Sequence, residues 1–264
     1  MILQGKNIYI NYNKKEVIKD VSIDVRKGEI VAIIGPNGSG KSTILKTLSR
    51  TLKPNKGQIL LEGNNIKAMN TKAIAQKLAI LPQVRSVPGD ISVEALVSYG
   101  RYPHLGFGHR LHKQDFEIID WAIEKTDLTQ LRHRFVDTLS GGERQRAWIA
   151  MALAQNPSIL LLDEPTTFLD ISYQLETLEL IKELNEKLGL TIVMVLHDLN
   201  QAVRYSHKIY ALNKGKVHCF GESNSFLNEE FLKDVFRIEG DIVEDQANKC
   251  HYLIPQKVVQ EAKP

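Results

Sequence analysis

Three short runs rich in Ile, Val and Leu, at residues 29–35, 158–163 and 191–197, are each bounded by turn residues. Unbroken apolar runs of this length are the mark of strands buried on both faces, as in a parallel sheet. Helical patterns lie between them. Residues 42–52 follow directly on a glycine-rich turn, and residues 172–188 place Leu175, Leu178, Ile181 and Leu184 at helical spacing. Strand–helix alternation of this kind predicts a doubly wound α/β fold. Before it, from Leu3 to about Leu61, apolar and polar residues alternate, most clearly over residues 17–25, and a turn is expected at Lys56-Gly57. That reads as an antiparallel β region. From about residue 92 to residue 156 strand signals vanish and helical ones dominate, at residues 116–125 and 142–154, which implies a helical insertion. After Gly240 short strand-like runs return and end in a polar, lysine-containing tip.

Length and charge bound the reading without deciding it. The 264 residues suit one domain with subdomains. The 34 Lys and Arg against 31 Asp and Glu are too balanced for a dedicated nucleic-acid binder. No apolar stretch approaches the roughly 18 to 20 residues a membrane span needs, and the start MILQGKNIYINY has neither a basic leader nor a long apolar stretch. Cys219 and Cys250 have no metal-ligand spacing and are too few for a disulfide scaffold. The expected compartment is the cytoplasm.

Chemistry enters with Gly35-Pro36-Asn37-Gly38-Ser39-Gly40-Lys41-Ser42, a G-x-x-x-x-G-K-[ST] pattern between an expected strand and an expected helix. Its glycines let backbone N–H groups turn toward phosphate oxygens with no Cβ in the way, and the helix start, with Thr43, adds a positive dipole end. Lys41 is expected to reach the β- and γ-phosphates of ATP, and the Ser42 hydroxyl to ligate Mg²⁺. A second feature is the run Ile159-Leu160-Leu161-Leu162-Asp163-Glu164, an apolar strand ending in two carboxylates. Side chains alternate across a strand, so the two are expected to divide the work. Asp163 would hold Mg²⁺ and Glu164 would orient the attacking water. His197 closes the third apolar run and is a candidate γ-phosphate contact.

These two motifs specify a P-loop NTPase. Leu139-Ser140-Gly141-Gly142-Glu143-Arg144-Gln145-Arg146, just ahead of the Asp163 strand, resembles the signature of ATP-binding cassette (ABC) proteins and narrows the class. Ser140, Gly141 and Gly142 open a helix, a second anion-binding helix start within one chain. The resemblance implies a head-to-tail homodimer, in which the signature of one subunit caps the ATP on the P-loop of the other. It also implies a Q-loop at Gln83, with a part in catalysis and at the metal, a D-loop at Phe168-Leu169-Asp170, an H-switch at His197-Asp198, and an adenine-stacking Tyr12, with Tyr9 as the alternative. The implied fold is a RecA-like P-loop NTPase core with an N-terminal antiparallel β-subdomain and a helical insertion. The cassette would cover residues 1–240, with the insertion at about 90–156, and residues 241–264 would form a short appendage.

Two stretches are similar to the ATPase subunits of importers for iron–siderophore complexes, heme and cobalamin: Leu96-Val97-Ser98-Tyr99-Gly100-Arg101-Tyr102-Pro103-His104, and residues 197–206 from His197-Asp198 to Ser206. The resemblance implies a separate integral membrane permease dimer and, indirectly, an extracellular or periplasmic binding protein. The permease is expected to dock on residues 83–87 and 101–107. A soluble ABC ATPase of iron–sulfur cluster assembly or DNA maintenance is the alternative. The DNA reading is disfavoured because the stretch from Gln83 to Leu139 has no sustained heptads and the chain has no basic stripe.

Overall fold

A computed structural model of the chain describes residues 1–12, 15–83, 89–106, 108 and 110–259. In chain order the elements begin with β1 (Leu3–Tyr12), β2 (Lys15–Val25), β3 (Ile30–Ile34), α1 (Lys41–Leu48), β4 (Lys56–Leu61) and β5 (Asn64–Asn65). There follow α2 (Thr71–Ala75), β6 (Leu78–Leu81), α3 (Val93–Ser98), a 3-10 turn at Tyr99–His104, α4 (Lys113–Lys125), α5 (Gly141–Ala154) and β7 (Ile159–Asp163). The chain ends with α6 (Ile171–Leu188), β8 (Thr191–Val195), α7 (Leu199–Tyr205), β9 (Lys208–Asn213), β10 (Lys216–Glu222), α8 (Glu229–Phe231), β11 (Ile238–Asp245) and β12 (Cys250–Val258). Two compact units result, one made of Met1–Lys67 with Val193–Pro264, the other of Ala68–Ile192.

In the first unit an antiparallel sheet runs in the order β2-β1-β4-β5. Leu3 pairs with Val25 on one side and Leu61 on the other, and all three are fully buried. Alternation explains the rest of that face, with Val21, Ile23 and Val25 inward on β2. The expected turn at Lys56-Gly57 is instead the start of β4. Gly57 has φ +89° and lies against the backbone of Lys6 and Asn7, where a Cβ would not fit, so this glycine serves a close strand approach. Beside that sheet the order β10-β9-β3-β8 holds, with β3 parallel to β9 and buried at all five positions. Asn200 ties the hairpin β11–β12 to α7. Asn200 accepts from the Leu253 N–H at 2.7 Å and donates to its carbonyl at 3.1 Å, so its amide mimics a strand partner.

In the second unit β6 and β7 pair in parallel, Leu78 with Ile159 through Leu81 with Leu162. From Val93 to Ala154 every regular element is helical. On α6, Leu178, Ile181 and Leu184 are buried, whereas Leu175, expected on the same stripe, is 40% exposed. The Tyr99–His104 turn is fastened inward. Arg101 is buried, donating from Nε to Asp115 Oδ1 at 2.9 Å and from a guanidinium N–H to the Ala154 carbonyl at 2.7 Å. Burial pushes the Asp115 carboxyl up, but the His112 N–H and the Arg101 guanidinium outweigh it and hold Asp115 below the usual carboxylate range. Gln76 donates to the Pro103 carbonyl at 2.9 Å and His104 Nε2 meets the Gln155 carbonyl at 2.8 Å. Arg101 therefore does not belong to the expected docking surface, because its charge is consumed by an interior ion pair. What the turn shows outward is Tyr99 and Tyr102, 59% and 63% exposed. Of that surface, residues 84–87 and 107 lie outside the described residues.

Candidate nucleotide site

The first unit builds a phosphate cradle from β3 and α1. Fully buried β3 delivers the chain to Gly35, where φ is +144°, and the loop turns through Gly38 at +77° and Gly40 at +102°. All three lie in a region that L residues rarely adopt. A side chain at Gly35 would strike the Leu212 carbonyl on β9, and one at Gly40 would strike Ile18 on β2. Gly40 is the N-cap of α1, has no side chain with which to cap it, and the first turn carries no acidic residue, so the helix start is left to an outside anion.

Lys41, 6% exposed, donates from Nζ to the carbonyls of Gly35 at 2.8 Å and Pro36 at 3.1 Å, which draws the loop around its ammonium. The Ser39 hydroxyl is buried with no hydrogen-bond partner, an unmet group inside a loop shaped for oxyanions. Ser42 and Thr43 follow in the first turn of α1. Phosphate fits this donor set.

His197 is exposed just after β8, whose end is tied to β3 by the Leu196 N–H donating to the Ile33 carbonyl at 3.2 Å. Asp198 is spent on structure, accepting from the Gln201 N–H at 2.9 Å as the N-cap of α7. His197 and residues 35–39 share a cleft of about 540 Å³ whose other wall is Asn213, Lys214 and residues 234–237. At the end of β1, Tyr12 is 44% exposed, whereas Tyr9 has the Lys56 ammonium 5.7 Å from its ring centre.

The second unit holds the carboxylates. Asp163 ends β7 and is only 3% exposed. Glu164 differs from the expectation of strand alternation: its φ is +53°, so it has left the strand in a left-handed turn. For a residue with a Cβ that conformation costs about 1–3 kcal/mol and persists only where its surroundings enforce it. The two carboxylates are separated by this backbone turn and not by the pleat. Glu164 accepts from the Gln83 amide, and from the Thr167 hydroxyl at 3.0 Å, both at Oε2. The next turn puts Phe168 at φ +65°, and Asp170 then caps α6 by accepting from the Tyr173 N–H at 3.3 Å.

Ser140 caps α5 in a reciprocal box. Its hydroxyl accepts from the Glu143 N–H at 3.2 Å, and the Glu143 carboxylate accepts from the Ser140 N–H at 2.8 Å. That backbone bond, against the opposing effect of burial, holds the Glu143 carboxyl below its ordinary range. Gly142 lies against the Tyr173 ring, where a Cβ would overlap the aromatic carbons, and Gly141 approaches Leu169. The start of α5 is thus set by the residues around Phe168 and by the first turn of α6. Two members of these clusters, Thr167 and Glu143, fall outside the candidates read from the sequence. Glu143 carries a legible signal, the S-x-x-E spacing of a capping box, while Thr167 carries none.

The sequence profile of the ABC transporter family matches residues 18–167, which take in the P-loop, the signature and both carboxylates. The chain belongs to the ABC transporter family. It is an ATPase of that family, and its core is a P-loop NTPase fold with an antiparallel β-subdomain. It is 49% identical over 244 residues, 92% of this chain and 90% of the relative, to the iron(3+)-hydroxamate import ATP-binding protein FhuC of Bacillus subtilis (strain 168). To the ferric enterobactin transport ATP-binding protein FepC of Escherichia coli (strain K12) it is 43% identical over 253 residues, 96% of this chain and 93% of the relative. A solved structure described as a metal-chelate type ABC transporter, in an inward-facing conformation, superposes with a TM-score of 0.84 at 30% identity over 97% of both chains. A dimeric bacterial ABC transporter cassette superposes at 0.75 with 28% identity, over 85% of this chain and 100% of that one. Among the described residues no helix is long and apolar enough to cross a membrane.

Proposed function

We propose that this chain is the ATP-hydrolysing subunit of an importer for an iron chelate of the siderophore class. It works as a head-to-tail pair of copies on the cytoplasmic face of a membrane permease, with a binding protein delivering the cargo outside. The observation that carries the ATP chemistry is the cradle at Gly40, a helix start with no side-chain cap and no acidic first turn, with the Lys41 ammonium drawn into its loop. A pair of copies arranged head to tail lets each signature meet the nucleotide on the other's P-loop. The cargo class rests on the siderophore systems named for the relatives above. Residues 1–240 form the cassette, with an insertion at about 90–156, and residues 241–264 an appendage.

In the first unit Tyr12 stacks on adenine, the backbone of residues 35–40 with Lys41 and Thr43 holds the phosphates, and His197 contacts the γ-phosphate. From the second unit of the other copy, Ser140, Gly141 and Gly142 close over the same nucleotide. The residues that would hold a Mg²⁺ bound with the nucleotide are Ser42, Asp163 and Gln83, which carry a hydroxyl, a carboxylate and an amide oxygen, the hard donors this cation takes; it would supply charge to offset that building on the phosphate oxygens. Glu164 holds the attacking water in line with the γ-phosphate and takes its proton. Its bond from the Gln83 amide supports a coupling role, because movement of the Gln83 loop by a docked permease would change the lone pairs free for that water. Exposed Tyr99 and Tyr102 are the permease contact. ATP drives closure only by as much as it binds the closed pair better than the open one.

The test is uptake of radioactive iron in a strain lacking this chain. Uptake from one siderophore class should fall to background, return with the parent gene, and stay absent with Lys41→Ala. Undiminished uptake from every iron chelate would overturn the cargo assignment.

A further inference from the structure

At the start of the parallel strands β3 and β9, the end opposite the P-loop, the first unit holds another cavity, of about 650 Å³. β3 runs from Ile30 to Ile34, so roughly 13 Å of extended chain lies between the two sites. The wall is built from the turn after β2, the end of α7, β9, β10 and the turn of the β11–β12 hairpin. Arg26, Arg204 and Lys208 line it, and none of them has a part in handling ATP. Against them stand Glu29 and Glu222. Glu29 is already engaged, accepting from the Arg26 N–H at 2.8 Å. Asp245, on which Arg204 acts across space, is held by the hairpin turn, accepting from the N–H groups of Ala247 at 3.0 Å and Asn248 at 3.2 Å. The balance of charge at the cavity is positive.

Several of these groups are set in place before any ligand arrives. The Lys208 ammonium stands 4.8 Å from the centre of the Tyr210 ring and 5.2 Å from that of Phe220, and the two rings stack with centroids 5.2 Å apart at 17°. His207, also in the lining, accepts at Nδ1 from the Ile30 N–H at 2.9 Å, which fixes the ring proton on Nε2 as a donor. With one face on Tyr210, the Phe220 ring is still 61% exposed, so its other face can take a flat group. Cations, a fixed donor and an open ring face together select an anion carried on an aromatic system, and the volume is that of an ordinary small-molecule site.

We propose that this cavity is an effector site for a planar organic anion, a carboxylate or phosphate borne on an aromatic ring. Bound there, the ligand ties the end of α7 to the hairpin turn. The helix begins beside Asp198, the residue after His197, and Asn200 in its first turn already clasps Leu253 of the same hairpin. Occupancy thus reaches the nucleotide cleft through one seven-residue helix. That last step rests on the role given to His197 above, and the binding itself does not.

The test titrates the full chain carrying Lys41→Ala, which disables the P-loop, with salicylate, AMP and citrate by calorimetry. Salicylate or AMP should bind, which tells an aryl acid from a nucleotide, and citrate, with charge but no ring, should bind about tenfold more weakly or not at all. Arg26→Gln and Arg204→Gln, both at exposed positions, should each weaken binding about tenfold, and Phe220→Ala about fivefold. In the chain without Lys41→Ala, the anion that binds should change steady-state phosphate release by about fivefold, and should leave the Arg204→Gln chain unaffected. No binding of either ring-bearing anion, citrate binding as tightly as they do, or affinity untouched by the three substitutions overturns the site. Binding that leaves phosphate release unchanged overturns the effector role. The iron-uptake result is independent of all these outcomes, so the proposed function stands or falls separately.

Discussion

Gly142→Ala is a one-methyl perturbation whose cost the structure sets. The new Cβ would overlap the Tyr173 ring on α6, and the nearest atoms belong to the body of the ring, so the ring or the start of α5 must move. Overpacking of this kind costs about 1–3 kcal/mol. Alanine returns about 1 kcal/mol over glycine in a helix, leaving a net destabilisation of up to about 2 kcal/mol. The displacement falls on the signature itself, so ATPase activity at saturating ATP should fall by about tenfold or more, beyond what the stability loss explains. Chemical denaturation measures the first quantity and steady-state phosphate release the second. Shortening the ring with Tyr173→Ala should restore much of the activity to the Gly142→Ala chain. Gly142→Ala with unchanged activity, or a double variant no better than the single, would refute the steric argument.

Other perturbations follow from the same geometry. Arg101→Leu leaves the Asp115 carboxylate buried without its guanidinium and should cost about 3–5 kcal/mol by denaturant titration. Asp115 sits below its ordinary pKa when folded, so its stabilisation is complete at neutral pH. That contribution should disappear as pH falls through the folded pKa, below the ordinary value of 3.8, and the Asp115→Asn chain should lack this part of the acid dependence. Gly35→Ala should abolish ATP binding by isothermal titration, because its Cβ meets the Leu212 carbonyl.

The parts of the fold legible in the sequence are those where a pattern has one physical solution. The continuous apolar runs of β3, β7 and β8 can satisfy themselves only between neighbours, and all three are buried throughout. What misled was each place where one residue type admits two uses. Gly57 reads as a turn glycine, yet it makes room for the backbone of Lys6 and Asn7. Arg101 reads as a surface charge, yet Asp115, fourteen positions along the chain, makes an interior ion pair with it. Leu175 completes a helical stripe by spacing, but α6 buries only its central and later turns. Glu164 sits in the left-handed region one residue past its strand, a backbone choice that no periodicity encodes. The P-loop and signature were readable because their glycines and capping residues act locally. The Gln83–Glu164 bond was not, because it joins positions 81 apart in sequence.

The central claim is that two copies of this chain close on ATP and that Glu164 drives the hydrolysis that reopens them. Size-exclusion chromatography of the Glu164→Gln chain with ATP and with ADP tests it directly. The account predicts a dimer with ATP that persists because hydrolysis is slowed by orders of magnitude, and a monomer with ADP. A Glu164→Gln chain that hydrolyses ATP at the parent rate and elutes as a monomer in both would contradict it.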